Sequence, residues 1–493
     1  MWRGPREASG QRLVLAANAL LGLAALAALA LVALVHVADN YHVDHVAGAW
    51  MALAAYANDG TLYPPVYDDG VFGGTRYMPL GIVLNALAAQ VSGEYVVSGK
   101  LLALLTVAAL LAIVYVVARR LACERAMALG AVGAVIATFT ALFAATSVYG
   151  DAPAVALQLA AVALVARDAS PRSASGAGVL AALAVAAKLT ALWGGASVLI
   201  WLLVRHRRLL PAYLAAAAAT AIAVLLGVEL VSHGRFSDNA LQLGGAEGVQ
   251  GLLAEVPRKL WALLLDFAPG TLLLAPVALA AVAVAAARRR LEIVDVALLL
   301  AVLVTVVVMA DVGTGFNHLL DLAVLVPLSV AAAYGRSEAA PLRIALAAAL
   351  AAATAVSLAD VRHDVREAAV VAVERSTPDR LRTPALRVPV AAPILSEDPA
   401  ILVQRGERPV VLDSYMLLRV LRRDPDRRRE LIARLARHEF ATVVLIMDLD
   451  LDDPWWSESH FGIEVARAID RHYRLDRKVP GPVFMYRLHV PAE

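Results

Sequence analysis

Sulfur chemistry is almost absent from this sequence, because a single cysteine, Cys123, stands in 493 residues. An intrachain disulfide and a paired-cysteine redox or zinc site are excluded. Charge is also scarce, at 17% of residues and with only four lysines, where soluble domains carry about a quarter. The net charge of +2 and the lack of a basic patch with interleaved aromatics argue against a nucleic-acid partner. No repeat of fixed period is present. What fills the chain is apolar: 60% of residues are hydrophobic and the mean hydropathy is +0.69.

Crossing roughly 30 Å of hydrocarbon takes about 20 apolar residues. Eleven spans are expected, at 13–37, 96–118, 127–148, 152–167, 176–191, 192–205, 209–231, 264–287, 292–310, 317–335 and 342–359. The first is longer than a signal-peptide core of about 7–15 residues and more spans follow it, so it reads as a retained helix. The stretch "MPLGIVLNALAAQVS", 78–92, is short and is expected to be re-entrant or interfacial. Arginine clusters alternate with the spans. Arg3, Arg6 and Arg12, then Arg119, Arg120 and Arg125, then Arg205, Arg207 and Arg208, then Arg288, Arg289 and Arg290 share one side. The other side, before the tail, carries only Arg76, Lys100, Arg235, Arg258 and Lys259. The Arg-rich side should face the cytoplasm. The N-terminus and Cys123 then lie inside, while the long loop 38–95, the loop 232–263 and the tail lie outside.

The tail changes character. From Arg362 charges become dense, and "APILSED", "RPVVLDSY", "ATVVLIMDL" and "GPVFMYRL" read as strands. Between them "DPDRRRELIARLARHEF" and "SHFGIEVARAIDRHY" carry helical patterns. The expected fold is mainly α. A polytopic helical bundle, 1–361, is followed by a soluble extracytoplasmic α/β domain, 362–493.

Ionisable groups in or beside spans are costly and so are functional candidates. Asp39, Asp44, Arg76, Asp151, Lys188, Asp311, His318 and Asp321 all fall at or near the outer ends of spans, the pattern of a cavity opening outward. Asp39 and Asp44 can each serve as a cap for the helix "HVAGAWMALAAYAND", and Asp151, just before Pro153, can cap the next. His42 and His45 flank Asp44 but share no helix face with it, and no third or fourth metal ligand is evident. Lys188, inside a span, must snorkel or pair with an anion. "GFNHLLDLA" sets Asn317 and Asp321 four apart with His318 beside them, the trio expected around a wet cavity. In "GGTRYMPL" the glycines free the backbone, Arg76 offers a planar cationic fork, Tyr77 a stacking ring, and Pro79 a helix start.

Taken in order, "DHVAGAWMALAAYANDGTLYPP", "GGTRYMPL", "GEYVVSGKLLALLTVAALLAIVYVVARRL", "SVYGDAPAVALQLAAVALVAR" and "LAALAVAAKLTALWGG" resemble the GT-C glycosyltransferases of the protein O-mannosyltransferase, aminoarabinose-transferase and arabinosyltransferase group. The resemblance covers about residues 10–335 and rests on motif order and topology. It implies a multi-span enzyme of the cell membrane that moves a sugar from a polyprenyl-phosphate donor to a cell-envelope glycan, lipid or protein acceptor on the outer face. It makes Asp44 the general base, with Asp39 in reserve, and His45 stands where that family usually has Glu. Lys188 matches a lysine of the later span, and Arg76, Arg258 and Lys259 would hold phosphate. Tyr77, Asp151, Asn317, His318 and Asp321 complete the expected substrate site. Direct attack would invert the anomeric carbon. No cofactor is required, although a divalent metal stays possible.

Two other classes compete. A transporter or flippase of lipid-linked sugars would show broken mid-membrane helices and a pseudo-repeat, and a non-catalytic envelope scaffold would use only its tail. "VVLIMDLDLDDP" sets Asp448 and Asp450 in a pattern reminiscent of metal-binding nucleotide-sugar transferases. On an outward-facing tail it reads as a solvated strand-end loop.

Overall fold

A computed structural model describes residues 5–121, 123–244, 254–311, 313–375 and 390–492. Its first long helices are α1 (Pro5–Val35), α2 (His45–Asn58), α3 (Pro79–Ser92), α4 (Tyr95–Arg120), α5 (Arg125–Ile136), α6 (Phe139–Thr146), α7 (Asp151–Arg167), α8 (Pro171–Ala187) and α9 (Trp193–Arg205). There follow α10 (Leu210–Val231), α11 (Arg235–Leu243), α12 (Val256–Phe267), α13 (Pro269–Ala287), α14 (Ile293–Met309), α15 (Leu320–Arg336), α16 (Ala340–Asp360) and α17 (Arg362–Arg375).

Among the described residues, six helices are long and apolar enough to cross a membrane, or seven if α5 and α6, bent by 74°, form one span. The bend has a local cause. Thr138 is extended and its hydroxyl takes the amide of Ala141 while donating to the carbonyl of Val135 at 2.8 Å, so one helix is closed and the next opened within two residues. The other expected spans coincide with α7, α8, α9 and α14, of 17, 17, 13 and 17 residues. At 1.5 Å per residue a 17-residue helix is about 25 Å long, the short end of a crossing. The stretch read as re-entrant or interfacial is α3, 14 residues with Pro79 in its first turn.

Small residues let the helices close up, as packing in lipid requires. A Cβ on Gly133 of α5 would stand 2.6 Å from the Cα of Gly22 in α1. Asn18 beside it donates to the α16 carbonyl of Ala347 at 2.8 Å. Cys123 is a buried free thiol directed at the carbonyl of Ala331, 3.1 Å away.

The tail holds a four-stranded sheet in the order β1-β2-β4-β3, with β1 (Ile394–Ser396), β2 (Thr442–Leu445), β3 (Tyr473–Pro480) and β4 (Met485–Pro491). β1 and β2 are parallel, and the other pairs are antiparallel. Leu395, Val443, Leu445, Phe440, Trp456 and Ile469 form the core under the helices α18 (Ala400–Val403), α19 (Ser414–Arg423), α20 (Pro425–Ala436), α21 (Pro454–Glu458) and α22 (Ile463–His472). The helix α17, which the sequence assigns to the tail, packs instead on α1, and Tyr41 donates to Asp364 at 2.5 Å.

"RPVVLDSY" does not join this sheet. Its backbone pairs with the 38–95 loop: the amide of Phe72 donates to Val410 at 2.8 Å, and that of Leu412 donates back to Phe72 at 2.9 Å. An apolar run reads as a strand whatever its partner, so the sequence could not show that the partner lies more than 300 residues away. The tail is clamped further by Arg434 to the carbonyl of Gly70 at 2.6 Å and by Gln404 to Asn40 at 2.7 Å. Gly48 of α2 lets the tail backbone come close, because a Cβ there would lie 2.6 Å from the amide nitrogen of Ala400.

Candidate active site

Asp44 is extended in backbone and caps α2, where Oδ1 accepts from the amide of Ala47 at 2.9 Å. Its other oxygen accepts from the Tyr149 hydroxyl at 2.6 Å. Tyr149 sits in the turn between α6 and α7, so this contact joins the 38–95 loop to the helix break that carries Asp151. Trp50 and Tyr77 stack alongside with ring centroids 4.7 Å apart. Gly81 and Gly150 leave room for that indole, since a Cβ on either would come within 3 Å of it. Burial, then the charge of Asp413, raises the Tyr77 phenol well above its ordinary value, so it stays protonated as a donor.

Asp39 has a different environment. It is buried, its Oδ2 lies 2.6 Å from His36 Nδ1, and its Oδ1 accepts the amide of Tyr41 at 2.9 Å. Lys100, also buried, stands 3.6 Å from it and donates to the carbonyls of His36, Asp39 and Tyr41 at 2.9, 2.9 and 2.6 Å. Burial opposes ionisation of Asp39, but the His36 hydrogen bond and the Lys100 charge outweigh it and hold the carboxyl at about 2. This carboxylate is the counter-ion of a buried lysine that ties down the start of the loop. It leaves Asp44 as the carboxylate beside Tyr149 and the stacked rings. His42 is equally engaged, on the hydroxyl of Thr146 at 2.7 Å.

A second group gathers where α7, α8 and α15 begin or end. Asp151 is not the cap expected from its position: Gly150 is, and the Asp151 carboxylate instead accepts from Lys188 and, at 3.0 Å, from Asn317. Lys188 is the cap residue closing α8, and its ammonium also lies 3.2 Å from His318 Nδ1. Asn317 and Asp321 do not share a partner. Residues Phe316–Leu319 form a 3₁₀ turn before α15, and Asp321 turns to the indole nitrogen of Trp193 at 2.7 Å.

Third, a single aspartate gathers three cations, two on its carboxylate and one on its backbone carbonyl. Asp311 is 3.0 Å from Arg76 and 3.4 Å from Arg419, and its backbone carbonyl accepts from Lys259 at 2.8 Å. Tyr415 donates to it at 3.0 Å. Burial works against Asp311, but Arg76 outweighs it and keeps the carboxyl below its usual range. Three cations, Arg76, Arg419 and Lys259, face Asp311 and the nearby Asp413, which leaves a surplus of one positive charge. Arg258 is exposed on α12 and, among the described residues, no hydrogen bond or ion pair ties it to this group. The Arg76 loop is held by the amide of Thr75 on Asn239 at 2.7 Å and by Tyr63 on the carbonyl of Tyr77 at 2.8 Å. Gly73 and Gly74, read as backbone releases, serve close packing: a Cβ on Gly73 would be 2.6 Å from the carbonyl of Pro65, and one on Gly74 2.7 Å from Leu243.

Tyr149, Asp413, Tyr415 and Arg419 are absent from the sequence-derived site. Tyr149 lies two residues before Asp151 within the quoted motif. Asp413 and Tyr415 close the run "RPVVLDSY", which reads only as a strand, Arg419 follows it, and nothing local says that this stretch reaches the membrane region. Asp448 of the tail is taken up by Arg487 at 2.8 Å and Lys478 at 2.7 Å, and Asp450 accepts from the amide of Asp452, so the pair serves the loop itself.

No protein-family model and no curated protein matches the sequence. Solved structures do match by fold. ArnT from Cupriavidus metallidurans bound to undecaprenyl phosphate aligns with a TM-score of 0.55 at 11% identity, over 95% of this chain and 97% of that one. The same protein in the apo state gives 0.57 at 12% identity over the same shares. The oligosaccharyltransferase of Archaeoglobus fulgidus in the apo form gives 0.52 at 12% identity, over 95% of this chain and 74% of that one. This chain, with its apolar helices long enough to cross a membrane, thus shares its fold with ArnT and with the archaeal oligosaccharyltransferase.

Proposed function

We propose that this protein is an integral-membrane glycosyltransferase that moves a sugar from a polyprenyl-phosphate donor to an acceptor hydroxyl of the cell envelope, on the outer face of the membrane. The observation that carries this reading is the juxtaposition, at one end of the bundle, of a carboxylate ordered by Tyr149 with a surplus of fixed cations. The fold shared with ArnT, whose structure holds undecaprenyl phosphate, supports the donor class.

Asp44 is the general base. It takes the proton of the acceptor hydroxyl, whose oxygen bonds to the anomeric carbon. The bond from that carbon to the phosphate oxygen breaks, and its electron pair leaves on polyprenyl phosphate. The leaving group departs as an anion, so no acid is needed to protonate it. Arg76, Lys259 and Arg419 stabilise it electrostatically from positions fixed before reaction. Attack opposite the phosphate inverts the anomeric carbon. Lys188, ordered by Asp151 and His318, and Asn317, with Trp193 and Asp321 behind them, line the sugar side. The tail both closes the site and contributes Arg419, Tyr415 and Asp413 to it.

The test is transfer by purified protein from a panel of polyprenyl-phosphate sugars, with wild type compared against Asp44→Asn and Asp39→Asn. Transfer that needs Asp44 supports the reading. Transfer surviving undiminished in both variants overturns the assignment of the base.

A further inference from the structure

At the end of the bundle away from Asp44, one group of arginines reaches out of the chain. The helix α8 separates the two ends, since it starts beside Arg172 and closes on Lys188. Four arginines at this far end are taken up by the protein itself. Arg119 donates to the carbonyl of Cys123 at 2.7 Å and Arg120 to that of Ala163 at 3.1 Å, while Arg336 pairs with Asp295 at 2.6 Å and Arg343 with Glu124. The turns that join α7 to α8 and α9 to α10 differ. They carry Arg167, Arg172, Arg205, Arg207 and Arg208, all exposed. Among the described residues none of the five forms an ion pair, and the one side-chain hydrogen bond runs from Arg207 Nε to the carbonyl of Leu203 at 2.8 Å. Asp168 is the one carboxylate in these turns, so five guanidiniums stand against a single acid.

The two turns adjoin. Ser175 of α8 reaches the carbonyl of Ala212 in α10 at 3.5 Å, and both helices run inward from this end. Arg172, three residues before Ser175, therefore stands near the level of Arg208, four before Ala212. Arg205 lies over the ring of Trp201, 5.3 Å from its centroid, which orders the guanidinium and leaves its N–H edge open. Apolar surface begins immediately beside these charges. Leu203 and Val204 of α9 are exposed, and α10, long and apolar enough to cross a membrane, exposes Leu214, Ile222, Leu225, Leu226 and Leu230 along its length.

We propose that this end of α8, α9 and α10 binds an anionic glycerophospholipid. Its phosphate meets Arg172, Arg205, Arg207 and Arg208, and its acyl chains lie along α10. A hydrocarbon face that ends in surplus guanidiniums is complementary to hydrocarbon chains that end in an anion, and the guanidinium fork takes two phosphate oxygens at once. A zwitterionic headgroup brings its own ammonium against these like charges, whereas a headgroup whose phosphodiester stands alone does not. A soluble anion gains nothing from the leucines. The site rests on the chain crossing a membrane and stands whether or not it transfers sugar.

The experiment places the full chain in phosphatidylcholine bilayers that contain brominated phosphatidylglycerol and reads the quenching of Trp201, isolated by subtracting the signal of Trp201→Phe protein. At equal mole fraction, phosphatidylglycerol should be enriched beside Trp201 about fivefold or more over brominated phosphatidylcholine, the worth of one arginine at a membrane surface. Arg205→Gln combined with Arg208→Gln, both exposed positions, should abolish the enrichment. Arg205→Lys with Arg208→Lys keeps the charges and should retain most of it. Arg12→Gln, which removes a charge from α1 at the same end, should leave it unchanged. Asp44→Asn should bind the lipid as wild type does, which separates this proposal from the transfer reaction. Equal quenching by the two lipids, enrichment that survives the double glutamine variant, or an equal loss in Arg12→Gln would overturn it. So would displacement by inorganic phosphate at constant ionic strength, or by undecaprenyl phosphate in preference to phosphatidylglycerol.

Discussion

The hydroxyl of Tyr149 lies 2.6 Å from the carboxylate of Asp44, more than a hundred residues away in sequence, on the oxygen that the helix cap leaves open. The contact fixes the direction of the remaining lone pairs. Tyr149→Phe should therefore keep the fold and slow transfer about tenfold, the worth of one hydrogen bond to a charged group. Steady-state rates alongside thermal melting check this, and a full-rate variant would show that the contact is idle.

Asp39→Asn should behave differently. It strips the charge partner from the buried Lys100, and breaking a buried pair costs about 3 kcal/mol or more. The expected loss is in melting temperature and in yield, with the residual folded protein still active. Because the native carboxyl is held at about 2 against an ordinary 3.8, its contribution is present above pH 4 and fades as pH falls through 2.

Asp398 should give the opposite pH dependence. Burial pushes its carboxyl up to about 7, against the hydrogen bond from Tyr486. The folded protein holds this proton between pH 4 and 7 while the unfolded chain has released it. Stability is thus greatest below the ordinary value of 3.8 and falls as pH rises through 7. Melting temperatures at pH 5 and pH 8 should differ in wild type and converge in Asp398→Asn.

Arg419 and Tyr415 reach Asp311 from the tail. Arg419→Ala should raise the KM for the polyprenyl-phosphate donor about tenfold, because one of the three cations gathered at Asp311 is gone. Kinetics with donor and acceptor varied separately check it. An effect confined to the acceptor would move Arg419 to the other half of the reaction.

Much of this architecture is legible in the chain. The apolar runs name the long helices, and the Asp44, Arg76, Asp151, Lys188 and His318 positions fall at one end because charges are driven from hydrocarbon. Asp151 and Lys188 even meet, as a lysine short of water must find an anion. What stayed hidden was pairing across distance. Nothing near Asp39 in sequence says that Lys100 will sit against it, and nothing in "RPVVLDSY" says that its backbone will bond to Phe72. The kink at Thr138 and the 3₁₀ turn at Phe316–Leu319 are too local for periodicity to detect.

The most direct measurement compares Asp44→Asn with wild type. Asparagine caps a helix as well as aspartate does, so α2 should stay capped and the melting temperature nearly unchanged, while base catalysis is removed. The account predicts that turnover falls roughly 10²–10⁴-fold with donor binding retained. An Asp44→Asn protein that turns over as fast as wild type would contradict it.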